Sequence, residues 1–313
     1  MDQLRPGRLI PRARGGVDFA LRRSPLQPYY RRLTSRALVV LAYHGVDDPE
    51  QFTRHLSWIA RSASPVSLAD VIAAVHGGPA LPERSVLVTF DDGARSVLES
   101  GLPLLRRRGI PAVAFVNPGV LDTDQPYWWA EAESLAQAGG QAHGRAWADP
   151  AALVRWIKTL SDSDRLAVVD ELRATATTAA PRQRQLTSGE LRTLESGGVA
   201  VENHTWSHPL LDRCGDEKIA EEISEGHEAL RVVLGRAPRA FAYPNGNWDA
   251  RAEKFLSGLG YDVAFLFDHQ VAFPPFDNPL RISRVRVDST TSMDRFAIIT
   301  SGLHPAVHRR RGN

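Results

Sequence analysis

Apolar positions in this chain fall into short unbroken runs separated by stretches of helical periodicity. The longest run, Ala37-Leu-Val-Val-Leu-Ala-Tyr43, is seven residues without alternation, the mark of a strand buried on both faces. Phe52, Leu56 and Ile59 then recur at helical spacing over Pro49–Arg61, and a second helix is predicted over Ser67–Val75. A further apolar run, Ser85–Phe90, ends in Asp91-Asp92-Gly93; helix Ala94–Arg107, stopped by Gly109, and strand Ile110–Val116 follow. Farther along, Thr187-Ser-Gly-Glu190 reads as a capping box opening a helix that Gly197 stops. The pattern then predicts strand Val199–Glu202, helix Asp216–Leu234, strand Ala240–Ala242, helix Asp249–Leu259, strand Val263–Phe267 and a last helix near Met293–Gly302. Strands alternating with helices argue for an α/β fold with a parallel sheet sheathed by helices.

Two regions break the pattern. Residues 121–186 contain Trp128-Trp129, two helical stretches (Pro150–Leu160 and Asp162–Ala174) and an Ala/Thr-rich loop, and read as a mostly helical insertion. Residues 1–36 are rich in Arg, Gly and Pro and read as a flexible basic arm, with 306–313 as a basic tail and 37–305 as the main domain. Nine arginines against Asp2 and Asp18 give the arm a charge of +7 inside a chain whose net charge is only +2, so the remainder is acidic. By charge the body is therefore no nucleic-acid binder, whereas the arm is suited to an anionic surface or simply to solvent.

The longest apolar run is far short of the about 20 residues a membrane span needs. The first 30 residues lack the apolar core of about 7–15 residues of a secretory signal. Cytoplasmic residence is the expectation, with contact to the inner membrane surface as a variant. A single cysteine, Cys214, leaves neither an intramolecular disulfide nor a cysteine-built zinc site, so any metal must be held by nitrogen and oxygen ligands.

Four polar segments end four strands: Tyr43-His44, Asp91-Asp92-Gly93, His204 with His208, and Tyr243-Pro-Asn-Gly246. In parallel α/β folds the carboxyl ends of strands gather on one side, where sites form. His204 and His208 at i, i+4 on a helical turn would share a face and reach one metal. Two His and one Asp leave an open position, the arrangement of a catalytic zinc. Asp91-Asp92-Gly93 reads equally well as an ordinary strand-to-helix turn and as a pair with one carboxylate for metal and one for substrate; local pattern does not choose.

Thr89-Phe-Asp-Asp-Gly93, followed about 110 residues later by His204-Thr-Trp-Ser-His-Pro209 and then by Phe241-Ala-Tyr-Pro-Asn-Gly246, resembles the first three motifs of the polysaccharide deacetylases (NodB-homology, carbohydrate esterase family 4). The resemblance runs from about Ala37 to Leu303 and is weakest over the insertion. It implies a distorted (β/α) barrel and metal-dependent removal of an N-acetyl group from a sugar. Asp91 would be the general base. Asp92, His204 and His208 would hold a divalent metal, usually zinc, with cobalt and nickel as alternatives. Asn245, through its backbone N–H, and its neighbour Tyr243 would face the substrate and the developing oxyanion.

Two departures from the family pattern bear on the site. The arginine usual in the third motif is replaced by Ala242, and Arg284 is the candidate substitute. The family's terminal Leu-His motif is absent, because His304 follows Gly302-Leu303 rather than a strand. Leu41-Ala-Tyr-His44 supplies a circularly permuted equivalent, making His44 the candidate general acid. Trp128 and Trp129 offer aromatic faces to sugar rings or belong to a core, Trp206 is expected to pack, and Asp268 is a candidate to orient a catalytic partner.

The expected substrate is an N-acetylated sugar, glycolipid or glycoconjugate; without an export signal, a precursor such as a nucleotide sugar or a lipid-linked sugar is favoured over mature polymer, with the arm reaching a lipid carrier. A deformylase of a formamido sugar and a non-catalytic carbohydrate-binding protein on the same fold are the alternatives.

Overall fold

The computed structural model describes residues 11–309. Ten strands occur among them: β1 (Val39–Tyr43), β2 (Ser64–Pro65), β3 (Ser85–Phe90), β4 (Ala112–Val116), the antiparallel hairpin β5 (Gln141–Ala142) and β6 (Arg145–Ala146), β7 (Val199–Asn203), β8 (Ala240–Ala242), β9 (Val263–Phe265) and β10 (Val285–Arg286). Seven of these form a parallel path in the order β10-β1-β3-β4-β7-β8-β9, with β2 added beside β3. The two edges meet through one segment. Val285 pairs with Leu41 of β1, while three residues earlier Ile282 bridges Phe265 of β9 and exchanges backbone hydrogen bonds with Ala264 and Leu266, both 2.8 Å. The sheet is thereby closed into the distorted barrel that the family resemblance implies.

Side-chain alternation sorts the strands into an inner and an outer layer. Val40, Leu87, Val113, Phe115, Ala240, Ala242, Val263 and Phe265 come from opposite walls yet pack together in the lumen, joined by Leu68, Val71 and Ile72 of a helix (Leu68–Val75). Their neighbours Leu41, Tyr43, Val88, Phe90, Ala114 and Val201 point outward under the helices at Pro49–Ser62, Leu102–Arg108 and Ser188–Ser196. Both strand faces are thus buried, which explains the uninterrupted apolar runs. The Thr187–Glu190 capping box forms as predicted, each side chain accepting the other's backbone N–H.

The insertion has an apolar core of its own. Trp128, Ala132 and Leu135 of one helix (Trp128–Gln137), Leu153 and Ile157 of a second (Pro150–Ile157) and Val168, Val169 and Leu172 of a third (Asp162–Thr175) pack together against Leu210.

The arm departs from expectation. Residues 11–33, read as flexible, form two helices, α1 (Pro11–Arg23) and α2 (Leu26–Leu33), and α1 lies against the helix Met293–Thr300. Polar partners hold it there: Arg22 donates to Asp294 at 2.6 Å, Asp18 pairs with Arg295 at 3.4 Å, and the Thr34 hydroxyl donates to the Ser301 carbonyl at 3.0 Å. The segment docks through charges while its apolar Leu26, Tyr29 and Leu33 stay exposed, so their spacing marks no core-facing stripe. One helix, Leu303–Arg309, runs across residue 305. The arginines at 5, 8, 310 and 311 lie outside the described residues. No helix among the described residues is long and apolar enough to cross a membrane.

Candidate metal centre

The three motif segments sit where β3, β7 and β8 end, and each turns on left-handed backbone. Asp92 (φ 65°), Thr205 (φ 71°), His208 (φ 60°) and Asn245 (φ 57°) adopt a conformation that costs ordinary residues about 1–3 kcal/mol and persists where surroundings over-determine it. Gly246 (φ 78°) allows no other residue, since a Cβ there would collide with Phe267. Residues 204–208 form a loop rather than the helical turn expected from the i, i+4 spacing; the left-handed turns at 205 and 208 are what bring the imidazoles together.

The ligand atoms converge. Asp92 Oδ1 lies 3.4 Å from His204 Nε2 and 3.3 Å from His208 Nε2, and all three atoms fall within 4.8 Å of one another. His204 Nδ1 is 2.7 Å from the Ala242 carbonyl; donating there, it leaves its Nε2 lone pair facing the cluster. Asp92 Oδ1 is buried without a hydrogen-bond partner, an orphan that a cation would satisfy. Two imidazole nitrogens and one carboxylate oxygen therefore fit a divalent ion.

Asp92 and His208 are held in the protonation states that metal ligation needs. Burial, the largest influence on Asp92, opposes its ionisation, but the neighbouring His208, His204 and His44 outweigh it and hold the carboxyl well below the usual range. Burial pushes His208 down to about 3 against the pull of Asp92, so this ring is neutral at pH 7. In His204 burial again works against protonation, yet the nearby carboxylates of Asp92 and Asp91 raise it.

Asp91 faces a different partner. Arg284, completely buried, grips it with two bonds, Nη1 to Oδ1 at 2.7 Å and Nη2 to Oδ2 at 2.8 Å, and donates from Nε to the Leu266 carbonyl at 2.8 Å. Burial is the largest influence on Asp91 and favours the neutral acid, but Arg284 and His204 prevail and keep the carboxylate below its ordinary range. Arg284 thus supplies a cation that the third motif, with Ala242, lacks. His44, exposed at the end of β1, stands edge-on to Phe267 at 6.0 Å between ring centres, and its charge bears on both Asp91 and Asp92.

The other candidate side chains lie outside the ligand cluster. The Tyr243 side chain points into the outer layer beneath the helices Asp216–Leu234 and Ala250–Gly258, where its hydroxyl donates to the Leu280 carbonyl at 3.2 Å; only its backbone belongs to the site loop. Trp128 is buried in the insertion core and presents no face to a sugar. Trp129 stacks on Tyr127 at 4.5 Å, which occupies one face, and meets His208 edge-on at 4.5 Å. Asp268 accepts from Ser283 at 2.8 Å, and His304 contacts Arg295, a residue that also pairs with Asp18 of the arm.

The structure adds residues that the sequence reading missed. Glu222, fully buried, accepts from the Ser207 backbone at 2.7 Å and hydroxyl at 2.6 Å, pinning the loop between the two histidines. It lies on the same helix face as Ile219 and Ile223, a placement that marks an acid as buried and partnered. Asn117 donates to Thr205. Tyr127 and Lys158 of the insertion also reach the site loops, beside Trp128, with Lys158 donating to Asn245 Oδ1 at 3.0 Å.

Comparison with known proteins bears on the family. The polysaccharide deacetylase family model matches residues 78–165 and 161–264. A poly-beta-1,6-N-acetyl-D-glucosamine N-deacetylase of Escherichia coli (strain K12) is 24% identical over 272 residues, which is 83% of this chain and 38% of that protein. Chitin deacetylase 1 of Cryptococcus neoformans is 31% identical over 70 residues, 22% of this chain and 15% of that protein. The chain spans less than half the length of these curated relatives. IcaB from Ammonifex degensii superposes with a TM-score of 0.60 at 20% identity, covering 86% of this chain and 97% of that one. The Streptococcus pyogenes deacetylase PplD, solved with acetate, superposes with a TM-score of 0.59 at 16% identity, covering 84% and 98%. At such identities these structures speak for the fold. The family model covers more than half of the chain, and with the ordered motifs it shows that this chain belongs to the polysaccharide deacetylase family.

Proposed function

We propose that the protein is a metal-dependent amidohydrolase that removes the N-acetyl group from an N-acetylated glycan. The observation that carries this reading is the placement of an ionised Asp91, gripped by Arg284, directly beside the Asp92, His204 and His208 ligand set at one barrel mouth. A divalent ion held by Asp92, His204 and His208 would supply Lewis-acid chemistry that polarises the amide carbonyl, and zinc, cobalt or nickel suits this donor set. Asp91 takes the proton that water gives up as its oxygen bonds to the acyl carbon. His44 gives a proton to the leaving nitrogen as the carbon–nitrogen bond breaks, so acetate and a sugar amine depart. The Asn245 backbone N–H faces the charge that develops on the carbonyl oxygen.

Oligomers of β-1,6-linked N-acetylglucosamine are the first substrates to try, because the relative named for that polymer matches along most of this chain. Acetate and formate release from these oligomers, chitin oligomers, nucleotide sugars and lipid-linked sugars should be measured with zinc- or cobalt-loaded protein. Acetate that disappears in Asp91→Asn is the expected result. Formate in place of acetate would overturn the acyl assignment, and metal-loaded protein that releases neither would overturn hydrolysis.

The reading extends to an anionic membrane surface as partner of the arm. Val17, Phe19, Leu26, Tyr29 and Leu33 are all exposed there, interleaved with Arg23, Arg32 and Arg36, which suits insertion of apolar groups between acidic headgroups. Sedimentation with phosphatidylglycerol vesicles but not with phosphatidylcholine vesicles is expected, and Phe19→Glu with Tyr29→Glu should abolish it; sedimentation with neither would refute the contact.

A further inference from the structure

The insertion touches the active centre through three side chains, and each reaches a different motif loop. The Tyr127 hydroxyl donates to the Asp92 carbonyl at 2.6 Å. The Trp128 indole N–H donates to the His208 carbonyl at 3.0 Å. The Lys158 ammonium donates to Asn245 Oδ1 at 3.0 Å. Their targets are three of the four non-glycine residues with left-handed backbone in the motif loops. The fourth, Thr205, is held from the barrel instead, by Asn117 and Asn203.

We infer that the insertion is a brace that imposes the left-handed turns at Asp92, His208 and Asn245, with Tyr127, Trp128 and Lys158 as positioning residues for the ligand set and the oxyanion loop.

A donor fixes a strained peptide only if the donor is itself fixed, and here it is. Trp128 lies in the apolar core of the insertion and beneath the Arg165 guanidinium, 5.0 Å from the ring centre. Tyr127 is buried, stacks on Trp129 and also meets Asn117 Oδ1 at 3.2 Å. Lys158 follows the helix that carries Ile157 into the same core. At the far end the restraint continues, because Asn245 Nδ2 donates to Asn247 Oδ1 at 2.9 Å and Asn247 Nδ2 to Asp212 Oδ1 at 3.0 Å. Two of the braced residues, Asp92 and His208, belong to the ligand set, and the third carries the proposed oxyanion donor. Groups that orient ligands in this way commonly govern metal affinity 10- to about 100-fold.

This inference rests on the deacetylase reading, and its test separates the two. Zinc dissociation constants should be measured on the metal-stripped full chain by competition with a chromophoric chelator, beside melting temperatures without zinc. Tyr127→Phe, which keeps the packed ring, and Trp128→Phe should each weaken zinc binding about 10- to 100-fold, while the metal-free melting temperature of Tyr127→Phe stays near wild type. Lys158→Met should leave zinc affinity unchanged but lower kcat with little effect on KM, and Lys158→Arg should restore it. Zinc affinities of Tyr127→Phe and Trp128→Phe equal to wild type would overturn the brace and leave the deacetylase reading standing. Wild-type protein that takes up no zinc would overturn both.

Discussion

Replacing Arg284 by Met tests the pairing on which the ionised state of Asp91 depends. Methionine keeps much of the volume in the lumen but removes both bonds to the carboxylate, at 2.7 and 2.8 Å, and the one to the Leu266 carbonyl. The Arg284 side chain is completely buried and that of Asp91 is only 6% exposed, so water does not replace what is lost. Breaking a buried pair by deleting one partner typically costs 3 to about 5 kcal/mol, because the survivor is left uncompensated. Unfolding entropy for about 300 residues corresponds to roughly 0.6 kcal/mol per degree, so a loss of ~4 kcal/mol lowers the melting temperature by about 6 °C.

The same logic makes the double variant less damaged than the single. Arg284→Met combined with Asp91→Asn leaves no buried charge behind, and should regain most of the loss, with a coupling energy of roughly 2 kcal/mol or more. Urea unfolding of the wild type, both single variants and the double variant at pH 7 closes the cycle. A single variant that loses less than about 1 kcal/mol, or a double variant no more stable than Arg284→Met alone, would refute the assignment of the pair as one buried unit.

Other measurements probe other parts of the molecule. His55, fully buried, stacks on Phe296 at 4.0 Å, and burial lowers its imidazole from 6.5 to about 4. The stability gained from keeping it neutral is complete above pH 6.5, declines as pH falls through that window and is gone below about 4, a loss near 3 kcal/mol at 1.36 kcal/mol per unit. Urea midpoints measured from pH 7.5 to 4 should show it, and His55→Asn should flatten the slope. Gly246→Ala combines a left-handed backbone with the Phe267 collision, and should lose at least about 2 kcal/mol together with activity. Chelation should destabilise protein held at a thousand-fold excess of zinc over its dissociation constant by ~4 kcal/mol, whereas Asp92→Asn should show no such dependence on chelator.

The parallel sheet was legible in the sequence because strands buried on both faces must be written as continuous apolar runs, while its closure into a barrel was implied only by the resemblance that the motifs carry. The ligand residues were legible as well, since they end those runs. What did not show were features without a local signature. Strand β10 is two residues long and interrupted by Arg286, so its role in closing the sheet is visible only through its partners Leu41 and Ala42. The hand of the backbone at Thr205 and His208 cannot be inferred from spacing, and a helical i, i+4 turn was the wrong mechanism for a correct pairing. Helices α1 and α2 hid behind arginines because their docking uses charges. Tyr127, Trp128 and Lys158 act across 35, 80 and 87 residues of sequence, a separation over which no motif connects donor to acceptor.

Adjacent carboxylates at a metal site pose an electrostatic problem. Two ionised groups so close raise each other's affinity for protons and draw protons onto nearby imidazoles, which then cannot serve as ligands. Here the pair is divided: Asp92 turns to the histidines, and Asp91 is neutralised by Arg284, leaving one net negative charge beside the two imidazoles. The cation responsible is carried by the segment that closes the barrel. Ile282 bridges β9, Val285 pairs with β1, and Arg284 between them enters the lumen over Phe115 at 5.4 Å. An open barrel would leave Asp91 and Asp92 as unbalanced neighbours, raise the protonation of both and of His204, and weaken any divalent ion against protons. Arg284→Met should therefore make zinc affinity fall more steeply with acidification than it does in the wild type. Parallel pH dependences in chelator competition would show that closure of the barrel and the charge state of the site are independent.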